Sequence, residues 1–219
     1  MLWMTLYHLC FDLSYFGYWS QDFYSDVVWT TQRTLIVSLF LFCAGFSQAW
    51  VVTQGQSARR FWRRWWQIAG CALLVSMGSW LMFPNSWIYF GVLHGIAIMM
   101  LVVRWGLRWG QWLWLVGLLV IGFHLAYANW VLPSVTPQAQ NWLDTRVLNW
   151  LGWISRKPIT EDYVPLFPWL GVMCWGAAAA QWLLVSGRAQ QIVAWHPWRW
   201  LVRLGQWSLS YYMLHQIVL

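Results

Sequence analysis

Long apolar runs separated by short polar clusters set the pattern of this chain, and the runs do not alternate. "LIVSLFLFCAGF" is apolar on every side, unlike a barrel strand, where polar and apolar positions alternate over about 10 residues. Runs of this kind fall near residues 1–18, 31–52, 65–84, 87–103, 111–128, 165–186 and 205–219. A helix needs about 20 apolar residues to cross a hydrocarbon core of about 30 Å. The pattern therefore predicts an all-α fold: one polytopic transmembrane helix bundle of about seven spans filling residues 1–219, with no soluble domain left over. The long connection is residues 129–164. Within it, "NWLDTRVLNWLGWI" would place Trp142, Val147, Leu148 and Leu151 on one face of a short helix lying along the membrane over an outward cavity. Pro165 and Pro168 suit the first turn of the span that follows.

Charge gives these spans a direction. Basic residues collect in alternate connections: Arg59, Arg60, Arg63 and Arg64, then Arg104 and Arg108, then Arg188, Arg199 and Arg203. The positive-inside rule makes these cytoplasmic. The opposite connections hold Asp22, Asp26, Asp144, Glu161 and Asp162 with Arg33, Arg146, Arg156 and Lys157, so residues 129–164 are expected outside, periplasmic if the membrane is a bacterial inner membrane. The net charge of +7 is thus a topological asymmetry. It offers no soluble basic face on which nucleic acid could dock. Composition agrees, with 60% hydrophobic and 9% charged residues against about 45–50% and about 25% in soluble domains. Many of the 24 Trp fall near span ends, where indoles anchor in the headgroup zone. Cys10, Cys43, Cys71 and Cys174 lie within spans without a CxxC, and read as small buried apolar residues. The first span carries His8 and Asp12 and lacks a basic leader, so it is expected to be retained rather than cleaved.

Ionisable side chains inside such spans are costly and by default mark function. At about 1.5 Å per residue, His8 lies roughly 15 Å below the outer end of its span, His94 roughly 10 Å below its own, and His215 roughly 15 Å above the inner end of the last. Three histidines share a middle layer. Asp12 stands one turn from His8 on the same face and would orient its ring. As a structural alternative, His8 and Asp12 merely cross-link helices. Gly91 and Gly95 flank His94 and let a backbone or a ligand come close. His124 and His196 read as interfacial residues. No HExxH motif or Cys/His ligand pair is present, so no metal is predicted.

Five segments, "YHLCFDL", "RTLIVSLFLFCAGFS", "FPNSWIYFGVLHGIA", "DYVPLFPWLGV" and "LGQWSLSYYMLHQIVL", occur in order along most of the chain. As a set they resemble the bacterial membrane proteins grouped with the heparan-alpha-glucosaminide N-acetyltransferase catalytic domain, a family of transmembrane acyltransferases. The resemblance implies transfer of an acetyl or other short acyl group from cytoplasmic acyl-CoA to a hydroxyl or amine of a glycan or small molecule at the other face. It implies His8 as general base, with Asp12 orienting it and His94 and His215 as further catalytic candidates. Arg33 and Asp162 are the acceptor-side candidates, and Arg59, Arg63, Arg104 and Arg203 would hold the CoA phosphates. The lipid bilayer is the expected surrounding, and a homodimer is compatible with the pattern. Family members open with an Asp-, Arg- and Gly-bearing segment before the His motif, which this chain lacks, and the chain stops inside "MLHQIVL", so trimmed termini are expected. The loop histidine of the animal lysosomal members has no counterpart in residues 19–32. A proton-coupled transporter or flippase using the His and Asp residues as a relay is the alternative, though paired repeats and broken helices, its usual marks, are not evident.

Overall fold

The computed structural model describes residues 1–188 and 199–218; His196 lies outside them. Among the described residues the fold is all-α, and the strand-like pairing they contain is an isolated parallel bridge between Phe90 and Tyr163. The helices are α1 (Leu2–Tyr15), α2 (Val27–Thr53), α3 (Ala58–Met82), α4 (Val92–Gly106), α5 (Leu113–Ala126), α6 (Pro137–Leu143), α7 (Trp169–Val185), α8 (Arg199–Gln206) and α9 (Ser208–Val218). The chain forms two compact units, residues 1–40 with 187–219 and residues 41–186, and the boundary falls inside α2.

Two stretches are long and apolar enough to cross a membrane: Val27–Thr53, and the helical run Val92–Ser134. Gly110 divides the second, because its φ of 58° leaves the helical region and separates α4 from α5. The apolar exterior is broad. Leu73, Leu74, Met77 and Leu81 on α3 are exposed, as are Leu115, Leu118, Leu119 and Phe123 on α5. Water-soluble proteins rarely leave such continuous apolar faces open.

Helix ends depart from the apolar runs for local reasons. α3 begins at Ala58, seven residues ahead of the expected 65, because Ser57 caps it and arginines are good helix formers. α2 begins at Val27, where the Asp26 carboxylate accepts from the Val28 N–H at 2.7 Å. α4 begins five residues late. Residues 86–91 instead pair with residues 161–164: the Glu161 N–H donates to the Ser86 carbonyl at 3.0 Å, and the Val164 N–H to that of Phe90 at 3.3 Å. The expected surface helix through Trp142, Val147, Leu148 and Leu151 is not continuous. α6 stops at Leu143, turns follow, and a 3₁₀ turn covers Asn149–Leu151, leaving Trp142 and Val147 exposed. Its breaking point is Asp144, whose carboxylate accepts from the Ser155 N–H (2.8 Å) and hydroxyl (2.6 Å) instead of continuing the helix. Pro168 is the N-cap of α7, one position before the first turn expected to hold it, and Pro165 lies earlier in the connection.

Within the 41–186 unit, helices approach through glycine. A Cβ at Gly45 would strike the Met173 carbonyl, one at Gly176 the Phe42 carbonyl, and one at Gly171 the Gly117 carbonyl. This is the small-residue packing of apolar helices. Side chains then bridge to backbone carbonyls: Gln48 Nε2 to Met100 at 2.7 Å, Trp65 Nε1 to Ala97 at 2.8 Å, and Gln181 Nε2 to Leu107 at 2.7 Å. Trp65, expected to anchor at a span end, therefore cross-links helices, as does Trp175. Cys174 is buried as expected, but Cys43 is exposed.

Candidate catalytic site

His8 on α1 and His215 on α9 belong to the same unit and touch: His215 Nε2 lies 3.2 Å from His8 Nδ1, with ring centroids 4.9 Å apart. The helix backbone fixes where their protons are. His8 Nδ1 is 3.0 Å from the Met4 carbonyl and His215 Nδ1 is 2.7 Å from the Tyr212 carbonyl. A carbonyl only accepts, so both Nδ1 atoms carry hydrogen. His215 Nε2 then faces an N–H and must present its lone pair. Three of the four ring nitrogens are thereby assigned, and His8 Nε2 is the one left to take a proton without breaking the contact. Around them, Thr5 and Tyr211 join α1 to α9 by a hydroxyl–hydroxyl hydrogen bond of 2.5 Å, and the Tyr211 and His215 rings stack 6.2 Å apart.

Asp12 is not the partner the helical spacing implied. It hydrogen-bonds neither ring, since the Met4 carbonyl one turn earlier and His215 share the His8 N–H, and it acts on His215 through charge alone. Arg33 is half-buried on α2 and makes no hydrogen bond or ion pair among the described residues.

His94 belongs to the other unit and serves a different purpose. Ser76 Oγ donates to the Ile88 carbonyl at 2.7 Å, so it accepts from His94 Nε2–H at 3.0 Å. The Gly91 N–H points at His94 Nδ1 at 3.3 Å. Both ring nitrogens are occupied, and the ring ties the start of α4 to α3. Asp162 works at the same end: its Oδ2 accepts from the Val92 N–H at 2.7 Å and satisfies an orphan donor of the first turn. The close approaches that Gly91 and Gly95 permit are to Asp162 and to the Val164 carbonyl, so this glycine pair admits the chain's own connection.

Of the four arginines expected at the donor phosphates, Arg104 donates to Gln56 Oε1 at 3.2 Å and lies over the Phe61 ring at 4.1 Å. Arg59 and Arg63 are exposed on the first turns of α3, and Arg203 is exposed on α8 in the other unit.

Residues 1–217 match the family described as heparan-alpha-glucosaminide N-acetyltransferase, catalytic. The chain belongs to this family. No curated protein and no solved structure matches it. The contacting pair, His8 and His215, is drawn from the two ends of the matched residues. Sequence reasoning placed both at mid-depth but paired His8 with Asp12. The signal it lacked was Tyr212, whose carbonyl sets the His215 tautomer. It also passed over Ser76, which reaches His94 from a different helix, so that no spacing along one helix marks the pair.

Proposed function

We propose that the chain is a membrane-embedded acyltransferase that moves an acetyl group from acyl-CoA to a hydroxyl or amine acceptor, with His8 Nε2 as general base. The observation that carries this reading is the His8–His215 contact, which leaves one basic nitrogen open and holds the ring that bears it. His8 Nε2 removes the proton of the acceptor as its oxygen or nitrogen attacks the thioester carbonyl. The carbon–sulfur bond breaks, and the imidazolium returns the proton to the departing CoA thiolate. While His8 is charged, its Nδ1–H donates to His215 Nε2, a charge-assisted bond stronger than the neutral one. General-base assistance of this kind is worth about 10² to 10⁴-fold.

The bilayer setting rests on the apolar helices and their exposed faces; α1, α3, α7 and α9 would be further crossings beside the two long stretches. Basic connections would face the cytoplasm, where Arg59, Arg63 and Arg203 are exposed for the phosphates of the donor. The deciding experiment is turnover of acetyl-CoA by the purified full chain, following free thiol, with and without a hydroxyl- or amine-bearing acceptor. Thiol release that disappears in His8→Ala, in a protein that still unfolds cooperatively, supports the assignment. Failure of the parent chain to bind acetyl-CoA would favour the transporter alternative, which has no use for a thioester.

A further inference from the structure

Hydrogen bonds join α1 to α9 at two successive levels. Thr5 and His8 are three residues apart on α1, and Tyr211 and His215 are four apart on α9, so each pair shares one helix face. Thr5 meets Tyr211 and His8 meets His215, all within one unit. The hydroxyl level has a fixed direction. Thr5 Oγ1 lies 3.3 Å from the Met1 carbonyl, which only accepts, so the hydroxyl hydrogen of Thr5 is donated there. Tyr211 Oη is therefore the donor in its 2.5 Å bond to Thr5 Oγ1.

His215 sits between two tyrosines with different duties. Tyr212 packs on Phe40 of α2, ring centroids 5.8 Å apart, and its carbonyl takes the His215 Nδ1–H at 2.7 Å. That bond stays within α9. It sets the tautomer of His215 and leaves open how far Nε2 stands from α1. The separation of the two helices decides that distance, and the hydrogen bond one turn away that fixes the separation is Tyr211 to Thr5. The Tyr211 ring also lies within 3° of parallel to the His215 ring, centroids 6.2 Å apart, so the imidazole follows the phenol.

We infer that Tyr211 is a positioning residue: by donating to Thr5 it holds α9 on α1 and keeps His215 Nε2 on the Nδ1–H of His8. Without this clamp the Met4 carbonyl alone receives that N–H, and an imidazolium formed at His8 loses its charge-assisted partner. The effect on turnover rests on the acyl-transfer reading; the effect on the histidine pair does not.

The test is nitrogen-15 NMR of the histidine-labelled full chain in micelles, with thiol release from acetyl-CoA followed on the same samples. An N–H···N bond between His8 and His215 gives a nitrogen–nitrogen coupling through the hydrogen bond, a signal that a merely structural hydroxyl would not move. Tyr211→Phe and Thr5→Val each remove one hydroxyl with little change of shape. Both should lose the coupling and slow turnover about tenfold, the scale of one hydrogen bond, with KM for acetyl-CoA near that of the parent. The double variant should be no slower than either, because both act through one contact. Thr5→Ser restores the acceptor oxygen and should keep the coupling. A coupling that survives in Tyr211→Phe or in Thr5→Val, or that is missing from the parent, overturns the inference. Thr5→Val keeps the test decisive if Tyr211→Phe misfolds. A parent chain that shows the coupling but no thiol release would sink the acyl-transfer reading instead, and the coupling in the variants would still decide the role of Tyr211.

Discussion

At His8 and at His94 the surrounding backbone decides which ring nitrogen holds the proton, and the two outcomes differ. His94 gives both nitrogens to neighbours, Ser76 and the Gly91 N–H, so His94→Ala should leave a hydroxyl and an amide short of a partner. We expect a stability loss of about 1–3 kcal/mol, visible in thermal unfolding, with per-molecule turnover of the folded fraction little changed. His8→Ala should do the reverse, cutting turnover by about 10² or more while unfolding stays near that of the parent. His215→Gln is the finer probe. Its amide oxygen can accept from His8 Nδ1–H, so it should retain more activity than His215→Ala, and equal loss in both would count against the tautomer assignment. Asp12→Asn should lower turnover less than His8→Ala, because no hydrogen bond joins Asp12 to either ring and its carboxylate acts on His215 through charge alone.

Element ends supply the next set of consequences. α4 starts under the Asp162 carboxylate, and removing that cap in Asp162→Ala should cost about 1 kcal/mol in unfolding experiments. Gly91→Ala should cost more, since the added methyl meets both that carboxylate and Ile88 Cγ2. The turn that ends α6 is sensitive to acid. Partial burial would raise the Asp144 pKa, but hydrogen bonds from the Ser155 hydroxyl and N–H and the Arg156 N–H prevail and hold it below its ordinary 3.8. A carboxyl depressed in the folded state stabilises fully above its unfolded value, and that contribution fades as pH falls through the folded one. Asp144→Asn should therefore lower stability near neutrality by about 1 kcal/mol and flatten the loss of stability below about pH 4. A parent-like slope of stability against pH in Asp144→Asn would remove the carboxylate from the explanation.

For the whole molecule, the arginine distribution and the exposed apolar helices make one topological prediction. Single cysteines replacing Arg60, at the start of α3, and Ser155, in the 129–164 connection, should label from opposite faces in sealed vesicles, the first from the cytoplasmic side. A background without Cys43 is needed, because that thiol is exposed. Labelling of both positions from the same face would overturn the assignment of sides.

The sequence by itself determined the helical class, the places of most helices and the family, because each is written locally: apolar run length, polar punctuation, and motifs in a fixed order. It also marked His8, His94 and His215 as ionisable groups within apolar runs. Spacing could not sort them. The partner of His8 lies 207 positions away, and the one helical spacing nominated, Asp12, loses to a carbonyl one turn back. Tertiary structure alone separated a histidine with an open nitrogen from one saturated by Ser76 and Gly91. It alone turned Asp162 into a helix cap, drew residues 86–91 out of a helix by pairing them with 161–164, and brought Tyr211 to Thr5. The reason is that hydrogen-bond saturation depends on which donors and acceptors meet across the fold, and those meetings carry no period along the chain.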